Sequence, residues 1–242
     1  MVDGLFLREK KKHGMGEMFY SNGFFETAVM TETAVQSGSQ QIPREPEPQV
    51  ALRIEQLDKR FGSLHVLKKV SFAIKSGTIT AIVGPNGSGK STLIKSILGL
   101  VRPESGALFV NGLKLNGHCA YRAQIGYMPQ IARFPENLRV RELLYMVKDL
   151  RAKDTALDEE LLHTFGLQAE MDKPLRTLSG GTRQKVSASI AFLFDPDILI
   201  LDEPTAGLDP AASSKLKDKI LNEQARGKTI VLTSHIMSEV EQ

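Results

Sequence analysis

The chain has 242 residues, of which 41% are apolar and 24% are charged, and its net charge at pH 7 is +3. This composition is typical of a globular protein, and the charge is too small to indicate nucleic-acid binding by itself. The single cysteine, Cys119, excludes a disulfide framework and a cysteine-built metal site and favours a reducing compartment. A lone cysteine is either an unreactive packed side chain or a reactive thiol, and the unreactive case is the more common.

Residues 1–48 differ in composition from the rest of the chain. They are rich in Gly, Ser, Gln and Thr, show no sustained period and end in a segment with prolines at 43, 46 and 48. Because proline favours an extended, solvated backbone, we predict a disordered tail with a stiff linker. The basic run at 8–12 is a candidate contact with a membrane or nucleic acid, and a solvated tail is the simpler interpretation.

No apolar run approaches the ~20 residues that a membrane-spanning helix needs. Residues 5–7 are too few for the core of a signal peptide and are followed by charge. We therefore expect a cytosolic chain that works at a membrane only through a partner.

From residue 50 onward, apolar strands alternate with helices. Strands are predicted at 50–57, 70–74, 78–83, 107–110, 125–128, 197–201 and 228–233, and helices at 90–98, 139–150, 157–165 and 179–194. The short apolar run at 197–201 is typical of a strand buried on both faces. This alternation predicts an α/β fold with a mainly parallel sheet covered by helices on both faces.

A glycine-rich loop follows the strand at 78–83. Its pattern, Gly84-x-x-x-x-Gly89-Lys90-Ser91, matches a P-loop placed between a buried strand and a helix. Glycines let the backbone wrap around phosphate, and the helix start adds unpaired N–H donors. Lys90 can contact the β- and γ-phosphates, and the Ser91 hydroxyl can ligate Mg²⁺. An ordinary glycine turn is the alternative, and the flanking strand and helix disfavour it. The predicted nucleotide-binding residues here are Gly84, Pro85, Asn86, Gly87, Ser88, Gly89, Lys90, Ser91 and Thr92.

Two carboxylates, Asp202 and Glu203, follow the apolar strand at 197–201. Ligands of open α/β sheets bind beyond the carboxyl ends of the strands, so this pair can meet the phosphate loop at one site. Successive side chains of a strand point in opposite directions, which indicates different roles. Asp202 suits Mg²⁺, directly or through water, and Glu203 is placed to polarise the attacking water. A pair of solvated loop acids is the alternative.

Further motifs resemble those of ABC-type ATPases. The signature motif of that family resembles the stretch Leu178-Ser179-Gly180-Gly181-Thr182-Arg183-Gln184, and its glutamine loop resembles Tyr127-Met128-Pro129-Gln130. The family's D-loop resembles Ala206-Gly207-Leu208-Asp209, and its switch histidine resembles Ser234-His235. Arg60-Phe61-Gly62 lies where the family usually places a tyrosine that stacks on adenine. The resemblance covers about residue 50 to the last residue.

The resemblance implies a fold and a set of roles. The fold is the ABC type of P-loop NTPase, a cassette over 49–242 with an antiparallel β subdomain and a small helical subdomain at about 131–180. Phe61 is implied to stack on adenine, Gln130 to contact Mg²⁺ and the attacking water, and His235 to contact the γ-phosphate. Asp209 is implied to link the two sites of a dimer. Ser179, Gly180, Gly181 and Gln184 are implied to face ATP held by a second cassette, which pairs head to tail with the first.

Each of these residues also has an ordinary interpretation. Taken alone, His235 is a strand-end histidine, Phe61 an aromatic packed in a turn, and Gln130 a surface amide; their positions relative to the other motifs favour the functional roles. The sequence stops at Gln242, shortly after His235, whereas cassettes of this family usually continue with further strands and helices. The resemblance therefore implies a cassette that is incomplete at its C-terminus.

Two classes of ABC protein fit these motifs. The first is the ATP-hydrolysing subunit of a membrane transporter, with ATP and Mg²⁺ as cofactors, a membrane-spanning subunit on a separate chain, a second cassette and no nucleic acid. Such a subunit is expected on the cytoplasmic face of the cell membrane. The second is a soluble ABC ATPase, for example of the type that serves iron–sulfur cluster assembly.

The spacing of the motifs favours the transporter. Lys90 and Leu178 are too close in sequence for the long coiled coil of DNA-repair types, and the chain has room for one cassette, whereas ribosome-acting types usually carry two. Residues 135–143 resemble the coupling region of export-type systems. Residues 125–142 and 178–187 look most like ATPases of copper-processing systems that mature nitrous-oxide reductase.

Overall fold

The computed structural model describes residues 49–151 and 157–234, together with the backbone of two strands near the N-terminus. The strands are β1 (Phe6–Lys10), β2 (Met15–Tyr20), β3 (Val50–Phe61), β4 (Leu64–Lys75), β5 (Ile79–Val83), β6 (Ser105–Val110), β7 (Leu113–Lys114), β8 (Ile125–Met128), β9 (Ile198–Asp202) and β10 (Thr229–Ser234). The helices are α1 (Lys90–Ile97), α2 (Val140–Arg151), α3 (Glu160–Thr164), α4 (Gly180–Phe192) and α5 (Pro210–Ala225). Short 3-10 helices lie at Ala120–Gln124, Leu167–Glu170 and Leu175–Thr177.

Two sheets organise the described residues. A six-stranded sheet has the order β2-β1-β5-β10-β9-β8, in which β5, β10, β9 and β8 are parallel and β1 and β2 are antiparallel. A four-stranded antiparallel sheet has the order β4-β3-β6-β7. The predicted parallel core and the antiparallel subdomain implied by the resemblance are therefore both present.

The parallel strands are buried on both faces, as their unbroken apolar sequences predict. Side chains of β9 alternate between the two faces: Ile198 and Ile200 join a core shared with α1 and the antiparallel sheet, whereas Leu199 and Leu201 join a core shared with α4 and α5. A third apolar cluster is formed mainly by residues of α2, α3 and the segment up to Leu178. None of the helices in the described ranges is long and apolar enough to cross a bilayer.

A disordered tail was predicted for the first 48 residues, and within this segment the structure describes two short strands. Strand β1 pairs with β5, with Leu7 opposite Ile82, and β2 pairs with β1. The edge of β5 offers backbone N–H and C=O groups that accept an added strand with little demand on its sequence. The remaining residues of this segment lie outside the described part of the chain.

Two elements of the cassette differ from the prediction. Strand β4 starts at Leu64, earlier than the predicted residue 70, because the ladder with β3 continues across a bulge at Lys69, whose φ is 51°. Helix α5 was not predicted, since its sequence is mostly polar and buries few apolar side chains, among them Leu216 and Ile220. Asp209 caps its N-terminus and Pro210 begins its first turn.

Candidate functional site

Three of the predicted motifs lie at one edge of the six-stranded sheet. The parallel strands end side by side there, because Val83 pairs with Ser234, Asp202 with Thr233, and Met128 with Leu201. The residues that follow β5, β9 and β8 are the phosphate loop, Glu203 and the glutamine loop. Parallel register therefore brings together three motifs that are far apart in sequence.

The phosphate loop approaches strand β4 of the antiparallel sheet at Gly89. Gly89 has a φ of 97°, and a side chain there would place its Cβ 3.2 Å from the backbone oxygen of Val66 on β4. Gly87 also has a positive φ, of 83°. At both positions the backbone conformation favours glycine, and at Gly89 the close approach of β4 adds a steric reason.

The ammonium group of Lys90 lies across the phosphate loop. Its Nζ donates hydrogen bonds to the backbone oxygens of Gly84 at 2.6 Å and Pro85 at 3.2 Å, and the side chain is buried. Within the described residues, the buried Oγ of Ser88 has no hydrogen-bond partner. A buried donor without a partner is costly, so this hydroxyl is suited to a phosphate oxygen.

The two carboxylates of the acidic pair have different surroundings, as predicted. Asp202 has the same side-chain direction as Ile198 and Ile200 and so faces α1, where the Ser91 hydroxyl donates to its Oδ2 at 3.3 Å. Glu203 leaves the strand with a φ of 50°, and its Oε2 accepts a hydrogen bond from Gln130 Nε2 at 2.7 Å. Asp202 therefore faces the phosphate loop, and Glu203 faces the glutamine loop.

These side chains fit a magnesium ion. Mg²⁺ prefers oxygen ligands and few protein carboxylates, with the remaining positions filled by water and phosphate. The Ser91 hydroxyl and Asp202 Oδ2 lie 3.3 Å apart and could both face such an ion. Gln130, the third predicted ligand, contacts Glu203, the residue after Asp202.

A tyrosine lies beside the acidic pair. Burial, and secondarily the charge of Asp202, raise the pKa of the Tyr127 hydroxyl to about 12. Tyr127 therefore stays neutral at physiological pH and adds no negative charge beside Asp202.

Phe61 lies at the end of β3, next to the turn into β4. Its ring is half exposed, and Lys59 Nζ lies 5.0 Å from the ring centroid. This hairpin is the one whose β4 strand covers Gly89. An exposed aromatic face on the element that encloses the phosphate loop is suited to stacking on a base.

The signature motif begins α4 and forms hydrogen bonds within itself and with the glutamine loop. Ser179 caps the helix by accepting from Thr182 N–H at 3.1 Å, and Gly180 and Gly181 form the first turn. Gln184 donates weakly to the backbone oxygens of Pro129 and Gln130, at 3.4 and 3.3 Å. Among the described residues, none of the hydrogen bonds of this motif reaches the phosphate loop of the same chain.

Asp209 makes contacts within its own chain. It caps α5 by accepting from Ala212 N–H at 2.8 Å and forms an ion pair with Lys185 at 2.7 Å. The hydrogen bond from Lys185, with that from Ala212, lowers the pKa of the carboxyl. The implied link across a dimer stays a prediction. His235 lies outside the described residues.

The sequence-based prediction missed Thr233. Its buried hydroxyl contacts both residues of the acidic pair, donating to Asp202 Oδ1 and accepting from the backbone N–H of Glu203. A polar residue near the carboxyl end of an apolar strand is a signal that could have found it, as it found Asp202.

Comparisons with known proteins identify the family. The family model described as ABC transporter matches residues 67–206, more than half of the chain. The chain belongs to the ABC transporter family. Within this family, the Nod factor export ATP-binding protein I of Ralstonia nicotianae is 36% identical over 196 residues. The matched part is 78% of this chain, and it spans 61% of the length of that relative.

Two solved structures of the ABC transporter family confirm the fold class. One, the structure of an ATP binding subunit of an ABC transporter, is 33% identical with a TM-score of 0.72, covering 79% of this chain and 82% of the other. The second is a dimeric ATP-binding cassette in a post-hydrolysis state, bound to ADP and Pi. It is 26% identical with a TM-score of 0.69, covering 77% of this chain and 89% of the other.

Proposed function

We propose that this chain is the ATP-binding and ATP-hydrolysing subunit of a membrane ABC transporter of the export type. The observation that carries the proposal is the hydrogen bond from Gln130 to Glu203, at the same sheet edge as the contact between Ser91 and Asp202. These contacts support a site in which the phosphate loop would bind the nucleotide, Asp202 the metal ion, and Glu203 with Gln130 the attacking water. The name of the relative above, a Nod factor export ATP-binding protein, supports export.

The phosphate loop would bind ATP. Lys90 Nζ would exchange its two backbone oxygens for oxygens of the β- and γ-phosphates, and the N–H groups at the start of α1 would face the same phosphates. Phe61 would hold the adenine. Ser91 and Asp202, with Gln130, would hold Mg²⁺, which neutralises charge on the phosphate oxygens when bound.

Glu203 would orient the attacking water. Gln130 donates a hydrogen bond to this carboxylate, which would hold it in place to accept a proton from the water. His235 would assist at the γ-phosphate. Ser179, Gly180, Gly181 and Gln184 would act on ATP held by a second cassette. Two observations support this role: within the described residues no hydrogen bond of the motif reaches the phosphate loop of its own chain, and one similar structure is a dimeric cassette.

A membrane-spanning subunit on a separate chain would bind the groove beside the glutamine loop. This groove, of about 710 Å³, is lined by Gln130, Ile131, Phe134, Arg183 and Gly207, among others. The Ile131 side chain is 64% exposed there, and burial of apolar surface favours association. Because Gln130 lines the groove and also contacts Glu203, a partner seated there can alter the position of the catalytic carboxylate. The chain would then lie on the cytoplasmic face of the cell membrane.

The hydrolysis proposal is tested by Glu203→Gln. The variant keeps the hydrogen-bonding shape and removes the base, so ATP binding should persist while phosphate release falls at least about 100-fold. Glu55→Gln, on the antiparallel sheet, is the matched control and should hydrolyse ATP normally. Hydrolysis by Glu203→Gln at the wild-type rate would refute the assignment.

The transport proposal is tested by identifying the neighbouring genes and co-expressing this chain with a multi-span membrane protein encoded there. Co-expression should yield a complex whose ATP hydrolysis exceeds that of the chain alone, and Ile131→Asp should weaken the complex without changing ATP binding. A neighbouring gene that encodes an iron–sulfur scaffold, together with binding to that scaffold, would instead favour the soluble class. The copper-processing subtype stays a prediction, to be tested by copper transport in vesicles.

A further inference from the structure

The Thr233 hydroxyl joins the two carboxylate residues of the site. Thr233 lies on β10 directly opposite Asp202 on β9, and its side chain is only 2% exposed. Its Oγ1 lies 2.9 Å from the backbone nitrogen of Glu203 and within hydrogen-bond distance of Asp202 Oδ1. An N–H group only donates and an ionised carboxylate only accepts, so the hydroxyl accepts from Glu203 and donates its single proton to Asp202.

The bond to Glu203 supports an unfavourable backbone conformation. A φ of 50° is uncommon for a residue other than glycine and persists only where surrounding contacts determine it. The backbone turn at Glu203 ends β9 and directs the side chain to Gln130 rather than to the sheet face of Asp202. Thr233 holds the N–H group of that turn.

Because Thr233 donates to Asp202, the two carboxylate oxygens of Asp202 have different partners. Oδ1 accepts from Thr233, and Oδ2 faces the Ser91 hydroxyl on α1. One hydroxyl therefore keeps the metal-facing oxygen directed at the phosphate loop while it also holds the turn of the candidate base.

We propose that Thr233 is a positioning residue for ATP hydrolysis, acting through Asp202 and Glu203 rather than on the nucleotide itself. The inference rests on the proposed ATPase function and adds a residue to its machinery. Groups that orient a metal ligand affect metal affinity or activity by about 10- to 100-fold when removed. We expect loss of the Thr233 hydroxyl to have an effect of the same size.

The test compares Thr233→Val, which removes the hydroxyl at nearly constant shape, with Thr233→Ser, which retains it. Thr233→Val should lower kcat by about 10- to 100-fold and raise the Mg²⁺ concentration needed for half-maximal hydrolysis by a similar factor. Affinity for ATP measured without Mg²⁺ should not change. Thr233→Ser should restore kcat and the Mg²⁺ dependence to within about threefold of the wild type, since the hydroxyl that orients Asp202 is present again.

Thr229→Val is the matched control. Thr229 is buried on the same strand, and its hydroxyl accepts from Gly77 N–H at 3.0 Å, away from the site. The substitution should lower the melting temperature and leave kcat and the Mg²⁺ dependence unchanged.

Several outcomes would overturn the inference. A Thr233→Val variant with wild-type kcat and Mg²⁺ dependence would do so, as would a Thr233→Ser variant as impaired as Thr233→Val. If Thr233→Val and Thr233→Ala both fail to fold while Thr229→Val folds, the hydroxyl serves folding and not hydrolysis. Failure of the ATPase proposal is distinguishable, because hydrolysis would then be insensitive to Glu203→Gln as well.

Discussion

Replacing Lys219 by methionine should destabilise the protein through a buried charge network. Lys219 is 3% exposed, and its Nζ forms ion pairs with Asp158 at 2.6 Å, Glu160 at 2.7 Å and Glu223 at 2.9 Å. Glu223 is equally buried and also pairs with Arg226 and Lys228. The network connects α5 with the start of α3, which packs on α4 through the core that includes Leu161 and Ala188. Methionine keeps the apolar stem and removes the charge.

The size of the destabilisation depends on the partners that the remaining carboxylates keep after Lys219 is replaced. Removing one partner of a buried ion pair costs about 3–5 kcal/mol because it leaves an uncompensated buried charge. Glu223 keeps two cations, and Glu160 is more than half exposed and can be hydrated. We therefore expect a loss of about 3 kcal/mol in the free energy of unfolding, at the lower end of that range.

The effect should depend on pH with a defined sign. Burial alone would raise the pKa of Glu223, but hydrogen bonds from Lys219 and Lys228 outweigh it, so the pKa of this carboxyl is lowered in the folded state. Its contribution to stability is present above the unfolded value of about 4.3 and is lost as pH falls through the lower folded pKa. Without Lys219 this lowering is weaker. The gap in stability between wild type and variant should therefore be largest near neutral pH and narrow as the pH falls below about 4.3.

Urea denaturation of both proteins at several pH values measures this effect. Lys217→Met is the matched control, because Lys217 lies on the same helix and forms no ion pair within the described residues; its effect should stay within about 0.5 kcal/mol. A loss below about 1 kcal/mol for Lys219→Met at pH 7, or a gap that widens on acidification, would refute the reasoning.

Three further predictions concern the site and the sheet. Lys90→Ala should weaken ATP binding about 100-fold, because a buried charge-assisted hydrogen bond is worth up to about 3 kcal/mol; calorimetry with unchanged affinity would contradict this. Gly126→Ala should cost about 1–3 kcal/mol, because a Cβ there would lie 2.0 Å from the backbone oxygen of Ala191. Gly180→Ala, with nothing within 4 Å, is its control in thermal melts. Deleting residues 1–20 should uncover the β5 edge and increase the aggregation measured by light scattering. If these residues were a disordered tail, the deletion would leave aggregation unchanged.

Much of the site could be predicted from the sequence because its determinants are local. The phosphate loop needs glycines at positions that require a positive φ, followed by a lysine at a helix start, and these lie in consecutive residues. The strand before Asp202 is recognisable from its apolar residues alone. The rule that ligands bind beyond the carboxyl ends of parallel strands then placed Asp202 and Glu203 beside the loop.

Other features could not be predicted because they depend on partners distant in sequence. Strands β1 and β2 have weak patterns of their own and form where β5 offers a free edge. Helix α5 has few apolar residues, and Lys219 is buried only because carboxylates from α3 and from its own helix surround it. Charged residues such as Lys219 are usually exposed, and here the packing of the surrounding helices buries them instead.

The sequence by itself determined that a phosphate-binding loop and an acidic pair lie at one sheet edge, since backbone conformation and strand burial are encoded in short stretches of residues. Only the tertiary structure decided how the two acids divide their contacts. Asp202 faces Ser91 and Glu203 faces Gln130 because the chain turns at Glu203, where Thr233 on the neighbouring strand holds the turn. That contact depends on parallel register between β9 and β10, and register is set by the packing of both strands between two apolar layers.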